Sequence, residues 1–554
     1  MSVLGAGRSR SASQLFVSHR YCSPDSSYRR VPFTHDKPPG QRHFHRIDGG
    51  VDLVSLMDIE SDLPVVIQGG MGVAVSDWRL AKAVAAEGQL GVVSGTAIDA
   101  VLVRRLQLGD KDGHVRRALD AFPIPGVVDG ILKRYFIEGG KAADARFKQK
   151  PLGKLVPSRR LEDLLVVANF VEVWLAKEGH SNPIGINYLE KIQAPTLPSL
   201  YGAMLAGVNY VLIGAGIPRA IPGILDRLAD GLPVEMKVDL KGATLDDDPF
   251  VRFDPVEYSS GDLPPVERPA FLAIVSSHVL ATMLVRKVEA RVDGFIVELP
   301  SAGGHNAPPR SKEGLTPEGE PIYGEKDVPD LGVFRELGRP FWMAGGYARP
   351  EQVKYALSEG AAGVQVGTAF AYCDESGLAS EIKAEVLEAS RQKRAKVFTD
   401  PRASPTGFPV KVVEIPGTLS DSDVYERRDR ICDLGYLRSA FVDDDGRQGW
   451  RCPAEPVEDY VAKGGAVADT VGRKCLCNSL MANIGLGQIK RDGSAEPIVV
   501  TSGDDVVDVA RFLEEGASTY QAKDVIDYLL SGAHRTLATS AKHDSHVLVR
   551  GDED

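Results

Sequence analysis

The sequence is short of cysteine, of long apolar runs and of net positive charge. Only six of its 554 residues are cysteines, too few for a secreted disulfide scaffold, so a reducing compartment such as the cytoplasm is predicted. No apolar stretch approaches the roughly 20 residues that a membrane-spanning helix needs. With a formal net charge of −11, the chain lacks the concentrated basic face that neutralises phosphates. We therefore expect neither a nucleic-acid partner nor a membrane partner.

Basic character is confined to the first 46 residues, where arginine and lysine outnumber the acidic residues and serine is frequent. This composition is typical of an organelle transit peptide and equally of a disordered leader. We interpret residues 1–56 as a basic, Ser/Arg-rich leader outside the fold, with Met57 as a plausible start of the compact chain. A transit-peptide role would place the protein in an organelle instead of the cytoplasm.

Short apolar strands alternate with amphipathic helices from Pro64 to about Gln392, a pattern typical of successive βα units in a parallel sheet. Eight strands joined by helical crossovers predict a (β/α)8 barrel over residues 57–398, with its functional groups at the carboxyl ends of the strands. The eight strand candidates are 64–68, 90–94, 183–188, 210–215, 271–276, 293–299, 340–344 and 362–366.

Three insertions are predicted in this barrel, at about 108–182, 233–268 and 306–330. The first contains an apolar helix over Leu161–Ala176, and the second is interpreted as a β-hairpin of Val234–Leu240 with Val251–Phe253. The third is rich in proline, glycine and charge, which makes it a candidate substrate lid.

A breaker-rich segment beginning at Thr399 ends the barrel pattern. The remaining residues, 399–554, are predicted to form a smaller α+β extension with helices at 505–515 and 522–531. Such a region could be a small domain or a wrap over the mouth of the barrel.

Glycine turns follow three of the predicted strands. Ala302-Gly303-Gly304-His305 comes after an apolar strand, and Ala344-Gly345-Gly346 and Gly367-Thr368 each close a strand and open a helical segment. Glycine lets the backbone approach a ligand closely, and the free N–H groups at a helix start can hold a phosphate. The histidine adds a proton-transfer group, so these turns predict an active-site edge.

Five motifs, in order and at the expected strand ends, give the chain a family resemblance. Between about residues 64 and 375 the sequence resembles the nitronate monooxygenases, formerly called 2-nitropropane dioxygenases. The motifs are Gln68-Gly69-Gly70-Met71-Gly72, Gly185-Ile186-Asn187, Ala302-Gly303-Gly304-His305, Ala344-Gly345-Gly346 and Gly363-Val364-Gln365-Val366-Gly367-Thr368.

The resemblance implies an FMN cofactor and a role for each turn. The ring of the flavin would lie against the first glycine turn, its 5′-phosphate would bind at the last two turns, and an asparagine could donate to the flavin or its ribityl chain. A serine stands where the family often has a basic residue, and it is a weaker candidate. The residues implied in cofactor binding are Gly69, Gly70, Met71, Asn187, Ser276, Gly303, Gly304, Gly345, Gly346, Gly367 and Thr368.

By the same resemblance, His305 is the catalytic residue, acting as a general base or as a hydrogen-bond partner of the substrate. The implied reaction is oxidation of an alkyl nitronate, or a related anionic carbon acid, with O2. Imidazole suits either role because its ordinary pKa lies near neutrality. Arg310, just beyond the histidine, could pair with an anionic substrate.

Two alternatives stay open. The long loop that begins at Asn306, the large insertions and the extension also resemble the FMN-dependent enoyl-thioester reductases, which would need NAD(P)H. No separate G-x-G-x-x-G unit is present, but the barrel itself can admit a nicotinamide in this superfamily. The second alternative is an inactive scaffold that binds flavin or metal.

The extension also concentrates four of the six cysteines. Four thiols are enough for a tetrahedral zinc ion or an iron–sulfur cluster, although their spacing matches no common zinc finger and four buried thiols are the alternative. The candidate ligands are Cys432, Cys452, Cys475 and Cys477.

Overall fold

The computed structural model describes residues 63–244, 247–288, 290–310 and 314–531. The predicted leader at 1–56 lies outside these ranges. The described part of the chain has no helix with both the length and the apolar character that crossing a bilayer requires.

Most strands of the described residues are short and buried. In chain order they are β1 (Val66–Gln68), β2 (Gly91–Ser94), β3 (Ile184–Leu189), β4 (Tyr210–Gly214), β5 (Val234–Lys237), β6 (Leu240–Lys241), β7 (Phe250–Phe253), β8 (Ala270–Val275), β9 (Gly294–Glu298), β10 (Gly304–His305), β11 (Phe341–Ala344), β12 (Gly363–Val366), β13 (Val397–Asp400), β14 (Val410–Val413), β15 (Ser439–Val442) and β16 (Gln448–Arg451).

The α-helices pack around the strands and continue into the C-terminal region. They are α1 (Trp78–Ala86), α2 (Ile98–Gln107), α3 (His114–Asp120), α4 (Val127–Tyr135), α5 (Arg159–Lys177), α6 (Thr196–Leu205), α7 (Ile221–Ala229), α8 (Pro255–Tyr258), α9 (His278–Lys287), α10 (Leu331–Glu336), α11 (Pro350–Ser358), α12 (Thr368–Ala371), α13 (Ser380–Arg391), α14 (Ser422–Arg427), α15 (Val457–Ala462), α16 (Leu476–Ala482) and α17 (Ala522–Leu530).

Eight parallel strands form the central sheet in the order β1-β12-β11-β9-β8-β4-β3-β2. The two ends of this order meet through a parallel bridge between Ile67 and Leu90, where Gln68 N donates to Leu90 O over 2.9 Å. The predicted (β/α)8 barrel is therefore confirmed. Each of the eight predicted strands is present, with its ends displaced by at most two residues.

The interior of the barrel is apolar and closely packed. Most barrel strands point at least one large side chain inward, and Trp342 is fully buried, with its indole N–H donating to Pro64 O over 2.7 Å. This layer is a packed core and not a channel. Its buried members are Ile67, Leu90, Val92, Leu212, Leu272, Ile296, Trp342 and Ala344.

The first predicted insertion supplies a long helix to the outer layer. Helix α5 is buried along much of its length, as the prediction over Leu161–Ala176 required. Its Glu172 is 3% exposed and forms an ion pair with Arg105, which also contacts Asp77 over 3.1 Å. Asp77 in turn accepts from Arg79 N and so caps α1. Pairing of this kind is what makes a buried carboxylate tolerable.

The second insertion is a hairpin, as predicted. Strands β5 and β7 pair antiparallel with Met236 opposite Val251. Short β6, in the same insertion, instead pairs parallel with β15 from the C-terminal region.

The C-terminal region is joined to the barrel segment by two small sheets, β10-β14-β13 and β16-β15-β6. Each of these sheets contains one strand from before residue 398. Of the two predicted helices, 522–531 corresponds to α17, and 505–515 corresponds to a 3₁₀-helix, Asp504–Phe512. The boundary between a barrel at 57–398 and an extension at 399–554 stays a prediction.

Candidate active site

A cavity of about 230 Å3 opens at the carboxyl ends of the barrel strands, where a (β/α)8 barrel places its functional groups. We call it the first cavity. The structure brings most of the predicted site residues together on its wall: Gly69, Gly70, Met71, Asn187, Gly303, Gly304, His305, Gly345, Gly346, Gly367 and Thr368.

The turn after β1 is held by buried polar side chains. Gln68, which is fully buried, donates to Ser76 Oγ over 2.8 Å and accepts from Val92 N. Ser76 Oγ in turn accepts from Met71 N and donates to Gly69 O. The Gly69–Met71 peptides therefore have a fixed position at the cavity wall.

The wall at Gly70 has no room for a side chain. A Cβ on Gly70 would lie 1.9 Å from Asn187 Oδ1, well inside contact distance. That Oδ1 atom and Gln365 Oε1 are both buried and lack a hydrogen-bond partner among the described residues. Buried polar groups are nearly always satisfied. A polar ligand in the first cavity would satisfy both atoms, and a flat one would suit the glycine surface beside them.

The turn after β11 also requires glycine, whereas Gly367 after β12 has a φ of −110° and only ordinary contacts around its Cβ position. Gly345 and Gly346 have φ values of +88° and +77°, a region that side chains disfavour. A Cβ on Gly345 would lie 3.0 Å from Ser301 Oγ. These turns bring backbone N–H groups to the cavity, in the place where barrels commonly bind phosphate.

A segment of the C-terminal region covers these glycine turns. Gly503 N donates to Thr368 Oγ1 over 2.9 Å, and Asp504 N donates to Ser301 O. A Cβ on Gly303 would lie 2.6 Å from Gly503 N. Gly303 is therefore required for the approach of this covering segment.

His305 lies in a strand that the C-terminal region completes. It is opposite Val410 in the antiparallel pairing of β10 with β14, and Asn306 N donates to Pro409 O over 2.9 Å. A hydrogen bond of 2.7 Å joins His305 Nε2 to Ser404 Oγ. Two contacts from beyond residue 400 thus orient the imidazole.

Two titratable groups on the wall of the first cavity have pKa values that are shifted in opposite directions. Burial lowers the pKa of His305 to about 4, so its imidazole is neutral at pH 7. Burial raises the pKa of Glu298, at the end of β9, to about 7. The Glu298 carboxyl has no hydrogen-bond or ion-pair partner in the part of the chain that the structure describes. A pair of groups with such separated pKa values is typical of acid–base sites.

Ser276 and Arg310 lie away from the first cavity. Ser276 lines a separate cavity of about 20 Å3, on the other side of Glu298. Arg310 donates to Ser277 Oγ over 3.0 Å and contacts Asp327 over 3.4 Å. The sequence predicted Ser276 near the cofactor, since it stands where the family often has a basic residue, and Arg310 at the substrate, since it lies just beyond His305. In the structure both side chains lie beside residues of the 306–330 insertion, and their roles stay predictions.

The four cysteines of the extension come together without forming a metal centre. Cys432, Cys452, Cys475 and Cys477 line one cavity of only about 10 Å3. Burial raises the pKa of Cys432 to about 12, and those of the other three thiols also rise. Within the described ranges, no group of three or more His, Cys, Asp or Glu side chains is arranged to hold a metal ion. The predicted zinc or iron–sulfur site is therefore not supported, and the structure shows four buried thiols.

Sequence reasoning missed Glu298, Gln365 and Ser404. Glu298 could have been found, because it is the one acidic residue in an otherwise apolar strand and it stands at the functional end. Gln365 has the same signal inside β12. Ser404 carries no such signal, since its contact with His305 depends on how distant segments pack.

Part of the chain matches a known protein family in sequence. Residues 265–401 match the family model described as nitronate monooxygenase. This segment is the part of the chain that resembles the nitronate monooxygenase family. It runs from just before β8 to the end of β13 and contains the Gly303–His305 turn and both later glycine turns. The nitronate monooxygenase prediction is confirmed there, and with it the prediction of an oxidoreductase.

The comparison with curated proteins finds no match. Solved structures that cover most of this chain include FabK from Thermotoga maritima, with 16% identity, 88% of this chain and 98% of that chain covered, and a TM-score of 0.43. A nitroalkane oxidase from Streptomyces ansochromogenes has 15% identity, coverage of 87% and 99%, and a TM-score of 0.41. The enoyl reductase domain of MlnA from Bacillus amyloliquefaciens has 12% identity, coverage of 88% and 98%, and a TM-score of 0.41. These TM-scores carry no argument for the fold, so the assignment of a (β/α)8 barrel rests on the order of the eight strands in the central sheet.

Proposed function

We propose that this chain is an FMN-dependent oxidoreductase and that an enoyl thioester fits its first cavity better than an alkyl nitronate. Support for FMN comes from the family segment and from three features of the wall. These are the Gly70 surface, the two unsatisfied amide oxygens of Asn187 and Gln365, and the paired glycines Gly345 and Gly346. The cofactor, when bound, supplies the two-electron redox chemistry.

The observation that favours an uncharged substrate is the charge of the first cavity. Among the described residues its wall contains Glu298 and Asp505 but neither lysine nor arginine. Asp505 is neutralised by Arg511 at 2.7 Å, whereas Glu298 has no countercharge. An anionic nitronate would enter a site without a cation to compensate its lost hydration.

Glu298 can supply the proton that the reduction of a conjugated double bond requires. This reaction adds a hydride to one carbon and a proton to the next, with a nicotinamide as the class of external reductant. A carboxyl whose pKa is raised to about 7 by burial is protonated in a large share of molecules at neutral pH. It can therefore deliver the proton and be reloaded from solvent.

His305 acts in this proposal as a neutral hydrogen-bonding group. Its Nε2 is joined to Ser404 Oγ, which leaves Nδ1 as the other ring nitrogen able to contact a substrate oxygen. A pKa lowered to about 4 makes the imidazole a weak general base at pH 7. Polarising a thioester carbonyl, or holding a nitro oxygen, needs no change in its charge.

Nitronate oxidation with O2 is the second candidate, and the family segment favours it. In that reaction His305 would hold the nitronate oxygens, and Glu298 would take no required part. The sequence-based prediction of His305 as general base belongs to this candidate.

One experiment separates the candidates. The flavin-loaded protein is titrated anaerobically with an alkyl nitronate and, separately, with NADPH, and the flavin absorbance is followed. Oxygen uptake with nitronate and NADPH oxidation with an enoyl thioester are then measured. We expect NADPH to bleach the flavin and an enoyl thioester to reoxidise it. Bleaching by nitronate alone would replace the reductase by the monooxygenase. Bound FMN without either activity would leave the inactive scaffold, and a protein that binds no flavin would overturn the proposal as a whole.

A further inference from the structure

A second cavity of about 230 Å3 lies beside the first. Ile192, Tyr436 and Leu437 line both spaces, so the two cavities share a wall. A ligand longer than the first cavity would enter the second where these side chains stand.

The second cavity differs from the first in charge. Its wall includes Lys191, Lys241 and Arg438, in addition to Lys150, whose charge is offset by Asp99 at 2.8 Å. Lys191 is paired with two carboxylates, the 77% exposed Asp239 at 3.6 Å and Glu190 at 3.8 Å, which leaves Lys241 and Arg438 without a countercharge among the described residues. The wall of the second cavity thus carries a net positive charge, whereas the described wall of the first cavity contains neither lysine nor arginine.

Arg438 is poised for an anion. Its guanidinium donates to two backbone carbonyls, Gly435 O and Gly153 O, each over 3.0 Å, and lies 5.6 Å from the Trp450 ring. Within the described ranges no carboxylate is at ion-pair distance from Arg438 or from Lys241. A guanidinium that is positioned but not neutralised is the group of choice for phosphate recognition.

We propose that the second cavity binds the phosphate-bearing arm of an elongated organic ligand whose reactive end lies in the first cavity. This inference rests on the proposed oxidoreductase function and names its ligand class. Two sources share the chemistry: the pyrophosphate of a nicotinamide dinucleotide, and the phosphate of a pantetheine-type thioester carrier. Lys191, Lys241 and Arg438 contact the phosphate, and Trp450 contacts the organic part of the arm.

The test is isothermal titration calorimetry on the flavin-loaded protein with NADPH, with coenzyme A and with inorganic pyrophosphate. The double variant Lys191→Gln/Lys241→Gln and the single variant Arg438→Gln are compared with a control, Lys354→Gln. Lys354 is an exposed lysine of α11 that lines neither cavity. At least one organic ligand binds the unaltered protein, and each cavity variant weakens it by about tenfold or more, since charge-assisted contacts are lost. Lys354→Gln leaves the affinity unchanged.

The two sources give different results. Binding of NADPH alone assigns the arm to the reductant, and binding of coenzyme A alone assigns it to the substrate carrier; either supports the site. Unchanged affinity in both cavity variants overturns it, as does binding of pyrophosphate without either organic ligand, or no binding of any probe at about 1 mM. Flavin content and flavin reduction are read in the same samples. Loss of ligand affinity with intact flavin spectra therefore cannot be confused with failure of the proposed function.

Discussion

The barrel and the region after residue 400 contribute different things to the same cavity. The barrel provides the glycine turns and the two groups with shifted pKa values, Glu298 and His305. The C-terminal region provides Ser404, which bonds to the imidazole of His305, and Val410, which pairs with its backbone. It also provides apolar side chains of the cavity wall, among them Leu437 and Leu480. The reacting groups and their placement thus come from separate parts of the chain. Substitutions in the two regions should therefore fail in different ways.

The largest effect is expected for the barrel histidine. His305→Ala removes the hydrogen-bonding group that we propose contacts the substrate, and we expect the rate of flavin-dependent turnover to fall about 10³-fold. Flavin absorbance should persist, because the glycine turns are untouched. Stopped-flow measurement of flavin reoxidation by substrate checks this, and a variant with wild-type turnover would remove His305 from the reaction.

The second effect concerns Glu298 and pH. Because burial raises its pKa to about 7, the protonated form prevails below pH 7, and reductase turnover should decline as pH rises through that value. Glu298→Gln should lower turnover about 10²-fold and abolish this decline. The titratable neighbours of Glu298 in the small cavity beside it are Tyr323 and Asp327.

A pH profile from pH 5 to 9 is the measurement, with Glu318→Gln as an exposed control. Persistence of the same decline in Glu298→Gln would assign it to another group.

The third effect tests the cofactor surface of the barrel. Gly70→Ala places a methyl group 1.9 Å from Asn187 Oδ1, so the asparagine must move out of the wall. We expect flavin affinity to fall about 10-fold to 100-fold, since both shape and a polar contact are lost. Fluorescence titration of released and rebound flavin measures it. Gly130→Ala, in a helix with open space around its Cβ position, is the matched control and should bind flavin normally.

The smallest effect tests the C-terminal region. Ser404→Ala removes the 2.7 Å hydrogen bond to His305 Nε2, which contributes about 0.5–1.5 kcal/mol. We expect turnover to fall roughly 2-fold to 12-fold at unchanged flavin affinity, with the exposed Ser494→Ala as control. If flavin affinity fell instead of turnover, the division of roles between the two regions would be wrong.

The barrel was predictable because its evidence is local. Each strand needs only its own apolar run, and Gly345 is required by its own backbone conformation, a φ of +88°. Glu298 had a local signal as well.

The contacts made by the C-terminal region had no local signal in the sequence. Val410 is an ordinary apolar residue, and Ser404 stands in a proline-rich turn, so nothing in either segment specifies a histidine as its partner. Arg310 and the four cysteines show the converse case. Their residue types suggested ligand binding, but their neighbours in space decide their state: Asp327 holds the arginine, and burial raises the pKa of the thiols.

The pairing of β10 with β14 has a consequence for synthesis. Ser404 follows His305 by 99 residues, which at about 5–20 residues per second leaves roughly 5 to 20 seconds between their appearance. When His305 appears, β11 and β12 are still to be made, and all eight barrel strands have been synthesised by the time Ser404 follows. A chain that stops before Ser404 therefore contains the histidine and every barrel strand, but it lacks both the hydroxyl that bonds to Nε2 and the strand β14 that pairs with β10.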